Sequence, residues 1–159
     1  MMFSLLFAAY LCINTPEVVP VKEEPAEMVI TGSESYSYMA QDDIDLMARV
    51  VMSEAGDQSL ECKEAVATVI LNRVASPDYP NRVYDVVHAQ NQFSTHDNGA
   101  PTHECYTAVY SALIWWGSDN EILPKSIYYF RAGHYHKWAL NYRQIDDLYF
   151  SAPKTACFD

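Results

Sequence analysis

The chain has 159 residues, the length of one ordinary domain with a short appendage. Half of its residues are hydrophobic and 13% are aromatic, against 19% charged, which excludes an intrinsically disordered chain. Ten Lys and Arg face 21 Asp and Glu for a formal net charge of −11; such a surface repels phosphate backbones and anionic headgroups, so no nucleic acid partner is expected.

Met1 to Ile13 are nearly all apolar, a length that suits the hydrophobic region of a secretory signal better than a spanning helix. Export to the cell envelope or the extracellular space is the expectation. The signal is atypical, since no Lys or Arg precedes the run and no small-x-small cleavage site follows it. Cys12 would suit a lipid anchor, but bulky Leu11 directly before it does not. Residues 14–35 carry Pro16, Pro20 and Pro25 with Glu17, Glu23, Glu24, Glu27 and Glu34 against the single basic Lys22. This composition reads as an extended linker and places the folded domain at residues 36–159. Within that domain no apolar run is long enough for a stable membrane span.

Asp42 or Asp43 is placed to cap a first helix in which Ile44, Met47, Ala48, Val51 and Ala55 recur at helical spacing, and Gly56 is placed to end it. A second helix is predicted from about Ser59 to Ala75. Its apolar residues cover more than half the circumference, so it is expected to be the central buried helix. Pro77 and Pro80 stop it, and Asn72 and Arg73 near its end read as structural, satisfying carbonyls or pairing with an acid. A short helical piece around Val83 to His88 leads to a polar loop from Asn91 to Pro101. Another helix runs from about His103 to Trp116. Ser126 to Phe130 and Ile145 to Phe150 read as strands separated by a segment long for a hairpin. The fold class is therefore α+β, helix-dominated, with a small C-terminal β element.

Glu54 is the informative position. At 3.6 residues per turn it lies about 20° from Met47 and within about 60° of Val50 and Val51 on the helical wheel. A carboxylate then sits inside the apolar stripe, in the last turn of its helix. Burial and the negative end of the helix dipole would both raise its pKa, as an acid that protonates a glycosidic oxygen requires. If the helix frays at Gly56, or if Glu54 pairs with Arg49 or Arg73, it is an ordinary carboxylate. Asp57, Glu61, Glu64 and the loop residue Asp97 are the candidates for the second carboxylate of a glycosidase, and none stands out. Asn91-Gln92-Phe93-Ser94-Thr95 groups amide, aromatic and hydroxyl side chains in the manner of a sugar site, or forms a polar loop anchored by Phe93. Strand alternation turns Tyr129 away from Tyr128 and Phe130, towards a possible groove. His134 and His136 lack the spacing of a zinc site. Cys62 and Cys105 fall on apolar helices where thiols are inert. No metal or cofactor is expected.

Ala48-Arg49-Val50-Val51-Met52-Ser53-Glu54-Ala55, then Ala65 to Val74, then Gln92-Phe93-Ser94 resemble successive blocks of the spore-cortex-lytic cell-wall hydrolase family (SleB/CwlJ type). Ile127 to Phe130, Trp138 and Ile145 to Phe150 are similar to its closing segment. The resemblance implies a lysozyme-like catalytic domain that cuts peptidoglycan glycan strands between N-acetylmuramic acid and N-acetylglucosamine, with Glu54 as catalytic acid. Members studied as lytic transglycosylases would then use the same group as base, so that the muramyl 6-hydroxyl closes an anhydro ring without water. Gln92, Phe93, Ser94 and Tyr129 would line the cleft, and Trp138 would pack. The turn Ile145-Asp146-Asp147 departs from the family in having Asp where Gly is usual. A monomer acting on peptidoglycan in bacterial or phage lysis is the resulting expectation. The alternatives are a non-catalytic peptidoglycan-binding domain and a metal-dependent amidase using His134 and His136.

Overall fold

The computed structural model describes residues 39–90, 92–93 and 99–158. The signal-like segment 1–13, the linker 14–35 and the loop residues Asn91, Ser94, Thr95, His96 and Asp97 lie outside the described residues. Within them, four helices precede a small sheet: α1 (Gln41–Ala55), α2 (Leu60–Ala75), α3 (Val83–His88) and α4 (His103–Trp115), then β1 (Tyr129–Ala132), β2 (Leu140–Ile145) and β3 (Leu148–Ala152). The class is the helix-dominated α+β expected. Among the described residues no helix is long and apolar enough to cross a membrane.

α1 begins before its expected caps: Ala40 is the N-cap and makes no side-chain bond, while Asp42 and Asp43 sit in the first turn, where their charge favours the positive end of the helix dipole. Its stripe of Met47, Ala48, Val50, Val51 and Ala55 is buried and packs on α2 and α4.

α2 is buried almost all round, from Cys62 to Val74 except Glu64, as its sequence requires. Ser59 caps it, with its hydroxyl accepting from the Cys62 amide. Two charged residues are drawn into this environment. Lys63 is 3% exposed and donates to the Gln58 carbonyl at 2.6 Å and to Glu104 of α4, which compensates the burial of its charge. Near the other end, the Asn72 amide donates to the Pro124 and Ile127 carbonyls at 2.9 and 3.0 Å. Its oxygen accepts from the indole of Trp116 at 2.8 Å. Trp116, expected as the last helical residue, is instead the C-cap of α4.

The strands differ most from expectation. The run read as one strand from Ile145 to Phe150 is the tip of a hairpin, in which β2 ends at Ile145 and β3 begins at Leu148. β2 falls in the segment read as a connection. Its alternation is broken by a register shift between Asn141 and Arg143, and its turn is Asp146-Asp147 rather than the Asn-Gly or Asp-Gly that marks a hairpin in sequence. Asp146 adopts φ +47°, the conformation a glycine would take without strain. It has a second task, since its carboxylate accepts from the Ser59 amide at 2.8 Å. Around it, Gln58 bonds Asp147, Cys62 donates to the Ile145 carbonyl and Arg143 pairs with Glu61, so the hairpin sits on the first turn of α2.

The strand order is β1-β3-β2 with both pairings antiparallel, which makes β1 and β2 parallel and sends residues 133–139 back along the sheet. Alternation turns Phe130, Leu148, Phe150 and Ala152 towards the helical core and Tyr129, Tyr149 and Ser151 to the opposite face. There Tyr135 meets Tyr149 edge-on at 5.0 Å and His136 meets Tyr129 at 6.3 Å.

Asn72→Ala removes the partner of two carbonyls and one indole N–H, so denaturant unfolding is expected to show a loss of about 2–4 kcal/mol; a loss below about 1 kcal/mol contradicts the clamp. Hydrogen bonding from the Ser59 side chain, and then from its backbone amide, holds Asp146 below the ordinary carboxylate range. Its stabilisation is therefore complete above the unfolded-state value, about 3.9, and is lost as pH falls through the lower folded value. Stability of the wild type is expected to fall more steeply below about pH 4 than that of Asp146→Asn; parallel profiles contradict it.

Candidate active site

Glu54 lies in the last turn of α1. Met47, Val50, Val51 and Ala55 beside it are buried, and Glu54 itself is half-buried. Of the two arginines weighed as partners, Arg49 is exposed and its Nε donates back to the Asp45 carbonyl. Arg73 is the one whose charge Glu54 supports.

Arg73 is 4% exposed. Its Nε donates to the Tyr128 carbonyl at 2.8 Å, and its guanidinium lies 4.6 Å from the ring centroid of Phe93 and 5.6 Å from that of Tyr79. Nη1 is buried with no hydrogen-bond partner among the described residues. Burial pulls the guanidinium below its ordinary value, and Tyr79, Tyr129 and Glu54 oppose that pull; a guanidinium stays charged through such shifts. Tyr79 is held well above the ordinary tyrosine range by burial and by its hydrogen bond with Tyr129, so it is a neutral phenol at physiological pH. A carboxyl group, a buried cation and two tyrosines thus converge from α1, α2, the segment after α2, and β1. Such a set can give and take a proton while holding charge that appears in between.

Of the expected cleft residues, Tyr129 is half-buried and joins this group. Gln92 is exposed at the start of the loop. Phe93 is 9% exposed, its ring 4.6 Å from the Arg73 guanidinium and 6.1 Å from the ring of Phe130. Ser94 lies outside the described residues. Trp138, read from sequence as a packing residue, is 57% exposed and stands edge-on to Tyr129 at 4.8 Å. A cavity of 220 Å³ is lined by Asn72, Ser76, Trp116, Lys125 and Tyr128.

The remaining candidates are committed elsewhere. Asp57 is exposed and accepts from Gln58, Glu61 pairs with Arg143, and Asp97 lies outside the described residues. Cys62, Cys105 and Cys157 are free thiols, and burial, with the Asp146 and Asp147 charges behind it, pushes Cys62 up to about 12. His134 is exposed while His136 packs against Trp138 at 4.8 Å. Among the described residues no three His, Cys, Asp or Glu are grouped to hold a metal ion. Sequence reasoning missed Tyr79, which follows a helix-stopping proline and carries no periodicity. Arg73, read from sequence as satisfying carbonyls or pairing with an acid, donates to the Tyr128 carbonyl and has its charge supported by Glu54.

Four helices, the first with a half-buried glutamate in its last turn, over a three-stranded antiparallel sheet define an architecture that comparison with known proteins makes specific. The catalytic domain of the Bacillus cereus SleB protein superposes with a TM-score of 0.62 at 26% identity, covering 76% of this chain and 99% of that one. The catalytic domain of the germination-specific lytic transglycosylase SleB from Bacillus anthracis gives 0.61 at 27%, covering 72% and 98%. The fold is thus that of a lysozyme-like cell-wall-lytic catalytic domain.

Residues 57–151 match the Cell Wall Hydrolase family, and the chain belongs to it. Spore cortex-lytic enzymes of Bacillus subtilis (strain 168) and Bacillus cereus are each 35% identical over 95 residues, which is 57% of this chain and 30% and 35% of those proteins. The match spans about a third of the length of these curated relatives. Glu54 lies just before the stretch that matches the family.

Proposed function

We propose that this chain cleaves the glycan strands of peptidoglycan between N-acetylmuramic acid and N-acetylglucosamine, as a lytic transglycosylase whose single acid and base is Glu54. The observation that carries the reading is the convergence of Glu54, Tyr79 and Tyr129 on the buried, incompletely bonded Arg73. Membership of the cell wall hydrolase family and likeness to a domain described as a lytic transglycosylase support it.

The protonated Glu54 carboxyl gives its proton to the glycosidic oxygen, the bond from the muramyl C1 to that oxygen breaks, and the N-acetylglucosamine side leaves as an alcohol. Positive charge at C1 faces the new carboxylate, which Arg73 stabilises. The muramyl 6-hydroxyl then attacks C1 and its proton returns to Glu54. The acid is regenerated and no water is consumed, so no second carboxylate is required. Gln92, Ser94 and Tyr129 contribute hydrogen-bonding groups along the strand, and Phe93 keeps Arg73 in place. In the same reading the apolar segment 1–13 directs export, residues 36–159 form the catalytic unit, and the enzyme works as a monomer on the wall.

Glu54→Gln is expected to slow the clearing of purified peptidoglycan by about 100-fold or more while the melting temperature and sedimentation with peptidoglycan stay as in wild type. A variant that keeps more than about a tenth of the activity contradicts the assignment, because removing the only proton donor cannot leave acid catalysis so nearly intact.

A further inference from the structure

Trp138 combines two properties that core residues do not share. Its indole is 57% exposed, yet rings on neighbouring elements hold its orientation: Tyr129 at 4.8 Å and 75°, and His136 at 4.8 Å and 45°. The sheet topology produces this. β1 and β2 are parallel and flank β3, and Tyr129 and Asn141 both pair with Ser151. The connection 133–139 must therefore run the length of the sheet and deliver Trp138 to the end where Tyr129 begins β1. The other strongly exposed tryptophan, Trp115, ends α4 and belongs to no such cluster of rings among the described residues.

The cluster is continuous with the candidate active site. The Tyr79 ring lies 5.4 Å from Tyr128 and its hydroxyl bonds Tyr129, and Tyr129 in turn carries Trp138. Tyr129 touches both the Tyr79 hydroxyl beside Arg73 and the exposed indole, so a ligand unit resting on Trp138 lies next to this group. Burial, with Arg131 and His134 nearby, pulls His136 below the ordinary histidine range, leaving the platform uncharged at neutral pH. A flat, uncharged, electron-rich face suits the C–H face of a pyranose ring, which carries the complementary partial charge.

We propose that Trp138, held by Tyr129 and His136, is an outer subsite on which one sugar ring of the glycan strand stacks. This rests on the glycan-cleaving reading above and adds to it a binding residue outside the proton-transfer group. The subsite contributes affinity and register; Trp138 is not a catalytic residue.

The test measures binding of peptide-free glycan strands to the Glu54→Gln protein, in which strands are not consumed. Adding Trp138→Ala is expected to weaken binding by about tenfold, Trp138→Phe to recover most of it, and Trp115→Ala to leave it unchanged, with melting temperatures confirming that each variant folds. Binding by Trp138→Ala within about twofold of its parent overturns the subsite while leaving the glycan reading standing. So does an equal loss with Trp115→Ala. Binding only when the strands carry peptide stems gives the platform to peptide and overturns the sugar assignment. No binding by the parent, together with no cleavage by wild type, overturns the glycan reading and the subsite with it.

Discussion

The buried amide of Asn72 ties the end of α4 to the segment that leads into β1. Asn72 lies on a fully buried part of α2, so it must spend its hydrogen bonds inside. It does so on the carbonyls of Pro124 and Ile127 and on the indole of Trp116. Arg73 adds the Tyr128 carbonyl. These are the residues through which the chain leaves α4 and enters β1, a stretch with no strand partner to satisfy its backbone. A buried network whose members are satisfied fixes one arrangement against its alternatives. The position of Tyr129 at the start of β1 follows from it.

The other end of α2 is fixed just as firmly. Asp146 bonds the amide of Ser59, Gln58 bonds Asp147, Cys62 donates to Ile145, and Glu61 pairs with Arg143. One helix therefore sets both ends of the sheet, while α1 packs its apolar stripe on the same helix and carries Glu54 at its last turn. Among the described residues three buried side-chain atoms have no hydrogen-bond partner, His136 Nδ1, Ser151 Oγ and Arg73 Nη1, and of these Nη1 lies at the candidate site. An unpaired buried donor is costly, and its place among Glu54, Tyr79 and Tyr129 gives that cost a use in the proposed reaction.

Much of this was legible in the sequence, for physical reasons that can be named. The near-continuous apolar surface of α2 announced its burial. The spacing of Met47, Val50 and Val51 put Glu54 beside the core, where it stands half-buried. Asn72 and Arg73 were readable as groups that satisfy carbonyls, because a polar side chain on such a helix has few other options. The sheet was less legible. β2 is polar and broken by a register shift, and its turn uses Asp146, which pairs a positive φ with a bond to α2 and so does the work of both a glycine and a cap. Trp138 was misread because an aromatic residue near strands is usually core, and only the crossing connection reveals that it is exposed. Tyr79 and the spare donor of Arg73 depend on contacts between distant segments that no local pattern records.

The central claim is that the glycosidic bond is opened by one group, Glu54, and closed on the sugar's own hydroxyl. Digestion of purified peptidoglycan in ¹⁸O-labelled water, followed by mass spectrometry of the soluble fragments, tests this most directly. The account predicts 1,6-anhydromuramyl ends without label from the wild type and none from Glu54→Gln. Reducing muramyl ends carrying ¹⁸O would contradict it by showing that water completes the reaction. Intact glycan strands with freed peptides would contradict it by showing that a different bond is cut.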